Sequence, residues 1–132
     1  MAKILVVFFS ICLLGCVEST IEGALKKYNR GTVQYISVDE LAANSQFLIL
    51  DTREKYEYDV SHLPGAQWVG YKSFSLDRMK TALSRMDTSI VVYCSVGVRS
   101  ENIGEKFLDM GYTEVNNLYG GIFEWKNKGY IV

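Results

Sequence analysis

The sequence contains one segment whose residue types and spacing suit nucleophilic chemistry. Cys94 and Arg99 enclose a short loop, whose members are Ser95, Val96, Gly97 and Val98. The loop joins the apolar run at residues 90–93 to a helical pattern, so Cys94 is predicted where a buried strand turns into a helix. Such a position gives a sulfur atom backbone N–H groups, the positive end of a helix dipole and a nearby guanidinium. We therefore expect the thiol to ionise readily and to tolerate an anion bound beside it.

Two further polar residues follow another apolar strand pattern. Asp51 and Arg53 come after the run at residues 47–50. In parallel sheets chemistry collects beyond the carboxyl ends of the strands, where Asp51, Trp68 and Cys94 are all predicted to lie. We interpret Asp51 and Arg53 as structural residues that tie the strand end to neighbouring loops by hydrogen bonds and charge, with an indirect influence on the Cys94 loop as the alternative. No cluster of His, Cys or Asp has the spacing of metal ligands, so neither a metal nor an organic cofactor is expected.

The elements that must position these residues alternate between strands and helices. Strands are predicted at residues 35–36, 47–50, 67–69, 89–93 and 115–118, and helices at 20–30, 37–45, 54–60, from the loop after Cys94 to Gly111, and at 123–128. Ser37 and Glu40 fit a capping box at one helix start. The alternation implies right-handed crossovers and a mostly parallel sheet, which is an α/β fold.

Apolar residues at helical spacing mark which helix faces should be buried. The leader helix carries Ile21, Ala24, Leu25 and Tyr28, and the helix after Cys94 carries Ile103, Phe107 and Met110. Leu76, Met79, Leu83 and Met86 predict one more helix between the third and fourth strands. Trp125 is interpreted as core packing under the last helix, whereas Trp68, Tyr71 and Phe74 could either line a pocket mouth or pack in the core.

Composition and charge favour one compact α/β domain over a nucleic-acid binder. The chain has 132 residues, of which 48% are hydrophobic, and this fits a single compact domain. The formal net charge is −1, and Lys and Arg are scattered along the chain. Nucleic acid is therefore not expected as a main partner.

The N-terminal residues have the pattern of an export signal. Lys3 precedes an almost unbroken apolar run over residues 4–14, which is too short for a bilayer span of about 20 residues. The run ends in Leu13-Leu14-Gly15-Cys16, which resembles a bacterial lipobox. We predict a lipoprotein signal at residues 1–15, a tether and leader helix at 16–32, and the domain at 33–132. Lipid on Cys16 would then anchor the protein on the periplasmic side of the cell envelope, although an ordinary signal peptide with a fortuitous cysteine is the alternative.

Under this interpretation the mature chain has one free cysteine. The sequence has 3 cysteines, of which Cys12 leaves with the signal and Cys16 carries the lipid. Cys94 is then the sole free thiol, and no intramolecular disulfide can form.

Four short motifs in the same order resemble the rhodanese-like sulfurtransferases. These motifs are Leu50-Asp51-Thr52-Arg53, Glu57-Tyr58 with Ser61-His62-Leu63-Pro64-Gly65-Ala66, the loop from Cys94 to Arg99, and Gly120-Gly121 with Trp125 and Gly129. The resemblance covers residues 35–132 and implies a three-layer α/β fold with a mostly parallel sheet of about five strands flanked by helices. Two departures are Ser61, where the family usually has glycine, and Ser95, where many members have a basic residue.

The resemblance implies a two-step transfer of sulfur through a cysteine persulfide. Cys94 would attack a small anionic donor such as thiosulfate, and the amides of the loop from Ser95 to Arg99 would surround the terminal sulfur. Arg99 would contact the donor's oxygens. With no second thiol, the sulfur would leave to cyanide, a small thiol or a thioredoxin-like protein. His62 would have a structural hydrogen-bonding role, since the family does not depend on a base there.

Three alternatives to this enzyme follow from the same residues. A cysteine phosphatase or arsenate reductase places its arginine six positions after the cysteine, whereas Arg99 is five positions after Cys94 and Ser100 takes the sixth. The shorter loop makes a tighter cradle that favours a sulfur atom over a phosphoryl group. A non-catalytic rhodanese-like binding module and a buried structural thiol are the other two.

Overall fold

The architecture is a parallel sheet with helices on both faces. The computed structural model describes residues 16–79 and 82–132. Within these residues the sheet has five strands, β1 (Gln34–Ile36), β2 (Leu48–Asp51), β3 (Gln67–Trp68), β4 (Ile90–Tyr93) and β5 (Val115–Leu118), in the order β1-β5-β4-β2-β3. The helices are α1 (Cys16–Tyr28), α2 (Val38–Ala42), α3 (Lys55–Val60), α4 (Val98–Asp109) and α5 (Gly121–Asn127), with a 3₁₀ turn at Asp77–Met79. The α/β fold expected from the sequence is confirmed.

Strand β4 lies at the centre of the sheet because all of its side chains are apolar or aromatic and can be buried on both faces. It pairs in parallel with β2 and β5, and every residue from Ile90 to Tyr93 is fully buried. Asp51 at the end of β2 is in register with Tyr93 at the end of β4. The carboxyl ends of the strands therefore meet at one edge, directly before Cys94.

Two apolar layers cover the sheet. Alternate strand residues point to opposite faces, so Ile90 and Val92 belong to one layer and Val91 and Tyr93 to the other. Ile103 and Phe107 of α4 complete the first layer, as predicted. Trp125 of α5 is buried in the second layer, which confirms its interpretation as core packing.

Local signals at the helix ends are largely confirmed. Ser37 caps α2, and the reciprocal capping box with Glu40 is present. Gly111 follows α4 with φ +99°, a backbone conformation that glycine adopts without the steric cost of a side chain. Met110, in contrast, is predicted on the buried stripe of α4 but is 42% exposed, and it lies at the C-cap, one residue beyond the end of α4.

The helix predicted between β3 and β4 is only partly present in the described chain, which leaves out residues 80 and 81. Its apolar spacing is real, since Met79 and Leu83 are buried, yet the regular element described there is only the 3₁₀ turn. Met86 is 50% exposed, and its carbonyl accepts the backbone N–H of Thr113 instead of bonding within a helix. The N–H of Leu83 donates to the carbonyl of Met79 at 2.9 Å, so helical bonding continues beyond the 3₁₀ turn but does not extend to Met86.

The leader helix α1 begins at Cys16, earlier than the predicted Thr20, so residues 16–19, which were predicted as a tether, are helical. Leu25 is buried, whereas Tyr28 is 60% exposed, so the predicted apolar face packs only in part. No helix among residues 16–79 and 82–132 is long and apolar enough to cross a membrane. The predicted signal at residues 1–15 lies outside the described residues.

Candidate active site

Cys94 lies at the strand-to-helix turn that the sequence predicts. It follows β4 directly, is 1% exposed, and is not part of a disulfide. The Gly97 N–H donates to Cys94 Sγ at 3.2 Å. Gly97 is the N-cap of α4, with φ +116°, so the chain enters the helix within three residues of the sulfur. The sulfur therefore sits at the positive end of α4.

Helix α5 holds the outer side of the loop. The N–H of Ile122 donates to the carbonyl of Cys94 at 3.0 Å, and the N–H of Phe123 donates to the carbonyl of Ser95 at 3.1 Å. Gly121 permits this approach, because a Cβ there would lie 2.3 Å from the Cys94 oxygen. Both loop carbonyls are thus turned toward α5.

Two side-chain amides bind the carbonyl of Gly97. Asn117 of β5 donates to it at 2.8 Å, and Asn29, just after α1, donates at 2.9 Å. The hydroxyl of Ser100 lies 2.6 Å from Asn117 Oδ1 and 3.4 Å from Cys94 Sγ. Because a hydroxyl has one proton, the shorter contact holds it, and Ser100 can accept a hydrogen bond from the thiol.

Arg99 does not stand free to meet a ligand. Its guanidinium donates to both oxygens of Glu57 at 2.8 and 3.0 Å and to Ser95 Oγ at 3.0 Å. The bond to Glu57 raises the pKa of Arg99, and the bond from Arg99 lowers the pKa of Glu57. An anion that approaches the loop must therefore share Arg99 with a carboxylate. The side chains of the other loop members, Ser95, Val96 and Val98, are half-buried.

Asp51 and Arg53 form a buried pair beneath the loop. Arg53 donates to Asp51 at 2.7 Å and to the carbonyl of Ser61 at 2.6 Å. Tyr93 donates its hydroxyl to Asp51 at 2.6 Å and accepts the N–H of Leu63 at 3.1 Å. Burial and the Asp51 charge raise the pKa of Tyr93, so it stays protonated as a donor. Burial lowers the pKa of Arg53, but its bonds to Asp51 outweigh that effect and the net shift is upward. These contacts connect β2, β4 and the His62 loop.

His62 lies against α3. Its Nδ1 is 2.9 Å from the carbonyl of Tyr58, and the two rings stack with centroids 3.8 Å apart. The ring of His62 is thus held against α3 by a hydrogen bond and by stacking.

The aromatic residues left open by the sequence have packing roles. Trp68 donates to the carbonyl of Arg53 at 2.8 Å, and Phe74 packs edge-on against Phe107 in the core. Tyr71 accepts a hydrogen bond from Asn102 at 3.0 Å.

Four residues around the loop were missed by sequence reasoning. They are Glu57, Ser100, Asn117 and Asn29. Glu57 stands inside a quoted motif and Ser100 directly follows Arg99, so both had a local signal. Asn117 and Asn29 had none, because their contact with Gly97 depends on chain segments 20 and 68 residues away. Within residues 16–79 and 82–132 no group of three or more His, Cys, Asp or Glu is placed to hold a metal ion.

Comparisons with known proteins place this geometry in context. The sequence model of the rhodanese-like domain matches residues 37–128. A curated tRNA uridine(34) hydroxylase from Streptococcus pneumoniae is 35% identical over 86 residues, covering 63% of this chain and 26% of that protein. The chain thus spans about a quarter of the length of the curated relatives it matches.

Solved structures share the fold. A structure described as rhodanese with anions from E. coli is 29% identical, with a TM-score of 0.52, and the match covers 59% of this chain and 89% of that one. A human single-domain sulfurtransferase is 21% identical, with a TM-score of 0.62, and the match covers 73% of this chain and 97% of that one. At that identity the second likeness shows the fold alone.

Proposed function

The chain belongs to the rhodanese-like domain family, and on that premise we propose that it is a sulfurtransferase that acts through a persulfide on Cys94. The observation that carries the proposal is the position of Cys94 Sγ at the start of α4, 3.2 Å from the Gly97 amide and inside a loop whose carbonyls are bound from outside. A nucleophilic sulfur that accepts a backbone N–H at the start of a helix is an arrangement suited to covalent sulfur transfer.

The first step loads the enzyme from a thiosulfate-like donor. The Cys94 thiolate attacks the outer sulfur of thiosulfate, the S–S bond of the donor breaks, and sulfite leaves with the bonding electron pair. The product is a Cys94 persulfide whose terminal sulfur carries the negative charge. The Gly97 amide and the first amides of α4 would stabilise that charge.

The second step returns the free thiolate. A nucleophile such as cyanide attacks the terminal sulfur, the persulfide S–S bond breaks, and thiocyanate leaves while Cys94 regains its thiolate. A small thiol or a thioredoxin-like protein could take the sulfur in the same way. Neither step consumes an oxidant or reductant beyond the donor and acceptor.

Arg99 would orient the donor while remaining paired with Glu57. A guanidinium has five N–H donors, so two bonds to Glu57 leave others for a sulfonate oxygen. The E. coli relative whose description names anions supports an anion site on this fold.

Intact-mass measurement tests the proposal directly. Incubation with thiosulfate is expected to add the mass of one sulfur atom, and cyanide is expected to remove it and yield thiocyanate. Cys94→Ser should abolish the gain. Ser84→Ala, an exposed serine away from the loop, is the matched control and should load like wild type. A wild-type protein that gains no sulfur from thiosulfate or from a small-molecule persulfide would contradict the proposal, and hydrolysis of an aryl phosphate would favour the phosphatase alternative.

A tRNA-directed activity is a second candidate, favoured by the 35% identity to the curated hydroxylase. The net charge of −1 and the scattered basic residues argue against it, because tRNA binding relies on clustered positive charge. An electrophoretic shift of labelled tRNA by micromolar protein at physiological salt would support this candidate, and an unshifted band would contradict it.

We also propose that the protein is exported and anchored by lipid on Cys16. The support is the sequence pattern of residues 1–16. Cys16→Ala should release the protein from the membrane fraction of a bacterial host, and unchanged membrane association would count against the anchor.

A further inference from the structure

The segment after the leader helix reaches the loop around Cys94. Asn29 Nδ2 donates to the carbonyl of Gly97 at 2.9 Å and to the hydroxyl of Tyr35 at 2.8 Å. Leu25 of α1 packs on the same residue, since a Cβ built on Gly97 would lie 3.2 Å from its Cδ2. The leader segment thus contacts the back of the loop through one polar and one apolar group.

The amide of Asn29 is oriented for this contact at a cost. Its Oδ1 is shielded from solvent and has no hydrogen-bond partner among the described residues. Rotating the amide by half a turn would place Oδ1 against the Gly97 carbonyl, so that two acceptors would face each other. The hydrogen bond to Gly97 therefore selects an orientation that leaves a buried acceptor unsatisfied.

The segment is also fastened independently of Asn29. The buried carboxylate of Glu101 in α4 accepts the backbone N–H groups of Arg30, Gly31 and Thr32 at 2.9, 2.8 and 3.1 Å. Arg30 and Glu105 form a further ion pair at the surface. Because these contacts hold the backbone, Asn29 is not needed to keep the segment in place.

The hydrogen bond from Asn29 acts on the Gly97–Val98 peptide unit, which belongs to the loop from Cys94 to Arg99. The peptide bond is planar, so the direction of the Gly97 carbonyl sets the direction of the Val98 N–H on the opposite side of the same unit. Val98 is the first residue of α4, and its N–H has no partner within the helix. Asn29 and Asn117 together occupy both lone pairs of the carbonyl and hold that N–H in one direction.

We propose that Asn29 is a positioning residue for sulfur transfer, and that it acts by orienting the Gly97–Val98 peptide beside Cys94. The inference rests on the proposed function. Asn29 lies outside residues 37–128, which match the family, so this part of the cradle comes from the chain's own leader segment. Substitution of Asn29 should change how the loop stabilises negative charge on sulfur, although Asn29 itself does not contact the sulfur donor.

The test compares Asn29→Ala with two matched controls. Tyr35→Phe removes the other acceptor of the Asn29 amide and keeps the ring, and Arg30→Ala removes the surface ion pair of the same segment. Two readouts are used, the pH profile of Cys94 alkylation by iodoacetamide and the steady-state kinetics of transfer from thiosulfate to cyanide. The charged groups around the site, Arg99 with Glu57 and the Asp51–Arg53 pair, are unchanged in all three variants.

Asn29→Ala is expected to move the midpoint of the alkylation profile to higher pH and to slow alkylation at pH 7 by about three- to tenfold. In the transfer assay it should lower kcat by a similar factor and change KM little. Both controls should behave like wild type in both readouts. An unchanged alkylation profile in Asn29→Ala would overturn the proposal. An equal effect in Arg30→Ala would also overturn it, because any loosening of the segment after α1 would then have the same result. If Asn29→Ala does not fold by circular dichroism, Asn29→Ser, whose side chain is too short to reach Gly97, takes its place.

Failure of the proposed function gives a different pattern. If wild type takes no sulfur from any donor, the alkylation profile still reports on the loop amides. A shift in Asn29→Ala alone would then support the positioning role and leave the reaction to be reassigned.

Discussion

Gly121 is the position where one added methyl group should separate the loop from its supporting helix. A Cβ there would lie 2.3 Å from the Cys94 oxygen and 2.6 Å from the Ser95 oxygen, and both atoms belong to the backbone. Relief of these overlaps requires α5 to withdraw by about 1 Å. The hydrogen bonds from Ile122 and Phe123 to the two carbonyls, now 3.0 and 3.1 Å, would then be lost.

The magnitude follows from two contributions. Gly121 has φ +55°, and alanine in the left-handed region costs about 1–2 kcal/mol. Loss of two hydrogen bonds adds about 0.5–1.5 kcal/mol each. We therefore expect Gly121→Ala to lower the free energy of unfolding by about 2–5 kcal/mol.

Gly129 offers a control for the backbone term. It has φ +84° and nothing within 4 Å of a built Cβ, so Gly129→Ala carries the conformational cost without the overlap. Urea unfolding, followed by tryptophan fluorescence, should show a midpoint about 1 M lower for Gly121→Ala than for Gly129→Ala, given typical m-values. Sulfur loading from thiosulfate should fall roughly tenfold or more in Gly121→Ala only, because its loop carbonyls are no longer held. Equal urea midpoints and equal sulfur loading in the two variants would refute the idea that α5 supports the loop from Cys94 to Arg99.

Three further predictions concern the contacts beside and beneath the loop. Glu57→Gln should lower the free energy of unfolding by about 1 kcal/mol and lower the KM for thiosulfate, because Arg99 loses its competing carboxylate; a raised KM would contradict this. The hydrogen bond from Arg99 lowers the pKa of Glu57 in the folded protein, so the stabilisation from this pair is complete above about pH 4.5 and is lost as the pH falls through the pKa of the folded state. The stability difference between wild type and Glu57→Gln should therefore shrink in acid titrations. A constant difference would be inconsistent with the pairing. Tyr93→Phe should cost about 2 kcal/mol in urea unfolding, because the Leu63 N–H and one Asp51 oxygen lose a buried partner; a cost below about 0.5 kcal/mol would show that these groups find another.

The fold was predictable where the sequence pattern was strong and local. The apolar run before Cys94 could only be a strand buried on both faces, and the capping box at Ser37 is a short-range signal. The helix predicted around Met79 and Leu83 is only partly present among the described residues, because apolar spacing shows which residues are buried and does not show how far the regular backbone extends. Met110 failed for a related reason, since a periodic stripe does not show where its helix ends.

The site was predictable at its centre and less so at its periphery. Cys94 and its loop could be recognised because a nucleophile, a glycine and an arginine stand within six residues. The partner of Arg99 could not, because an arginine pattern indicates a positive charge and only the packing of α3 against the loop supplies Glu57. Long-range amides such as Asn29 and Asn117 look like ordinary surface asparagines in the sequence.

The contacts outside the loop explain how its amides can serve a charged sulfur. The carbonyls of Cys94 and Ser95 are bound by α5, and the carbonyl of Gly97 is bound by the two asparagines. Each carbonyl shares a rigid plane with the next residue's N–H, so these bonds set the directions of the N–H groups of Ser95, Val96 and Val98. Dipoles that are fixed before the reaction need no reorganisation when charge develops, and that is the main source of electrostatic stabilisation in active sites. The charge on the persulfide would therefore be stabilised chiefly by the backbone, because Glu57 already offsets much of the positive charge of Arg99.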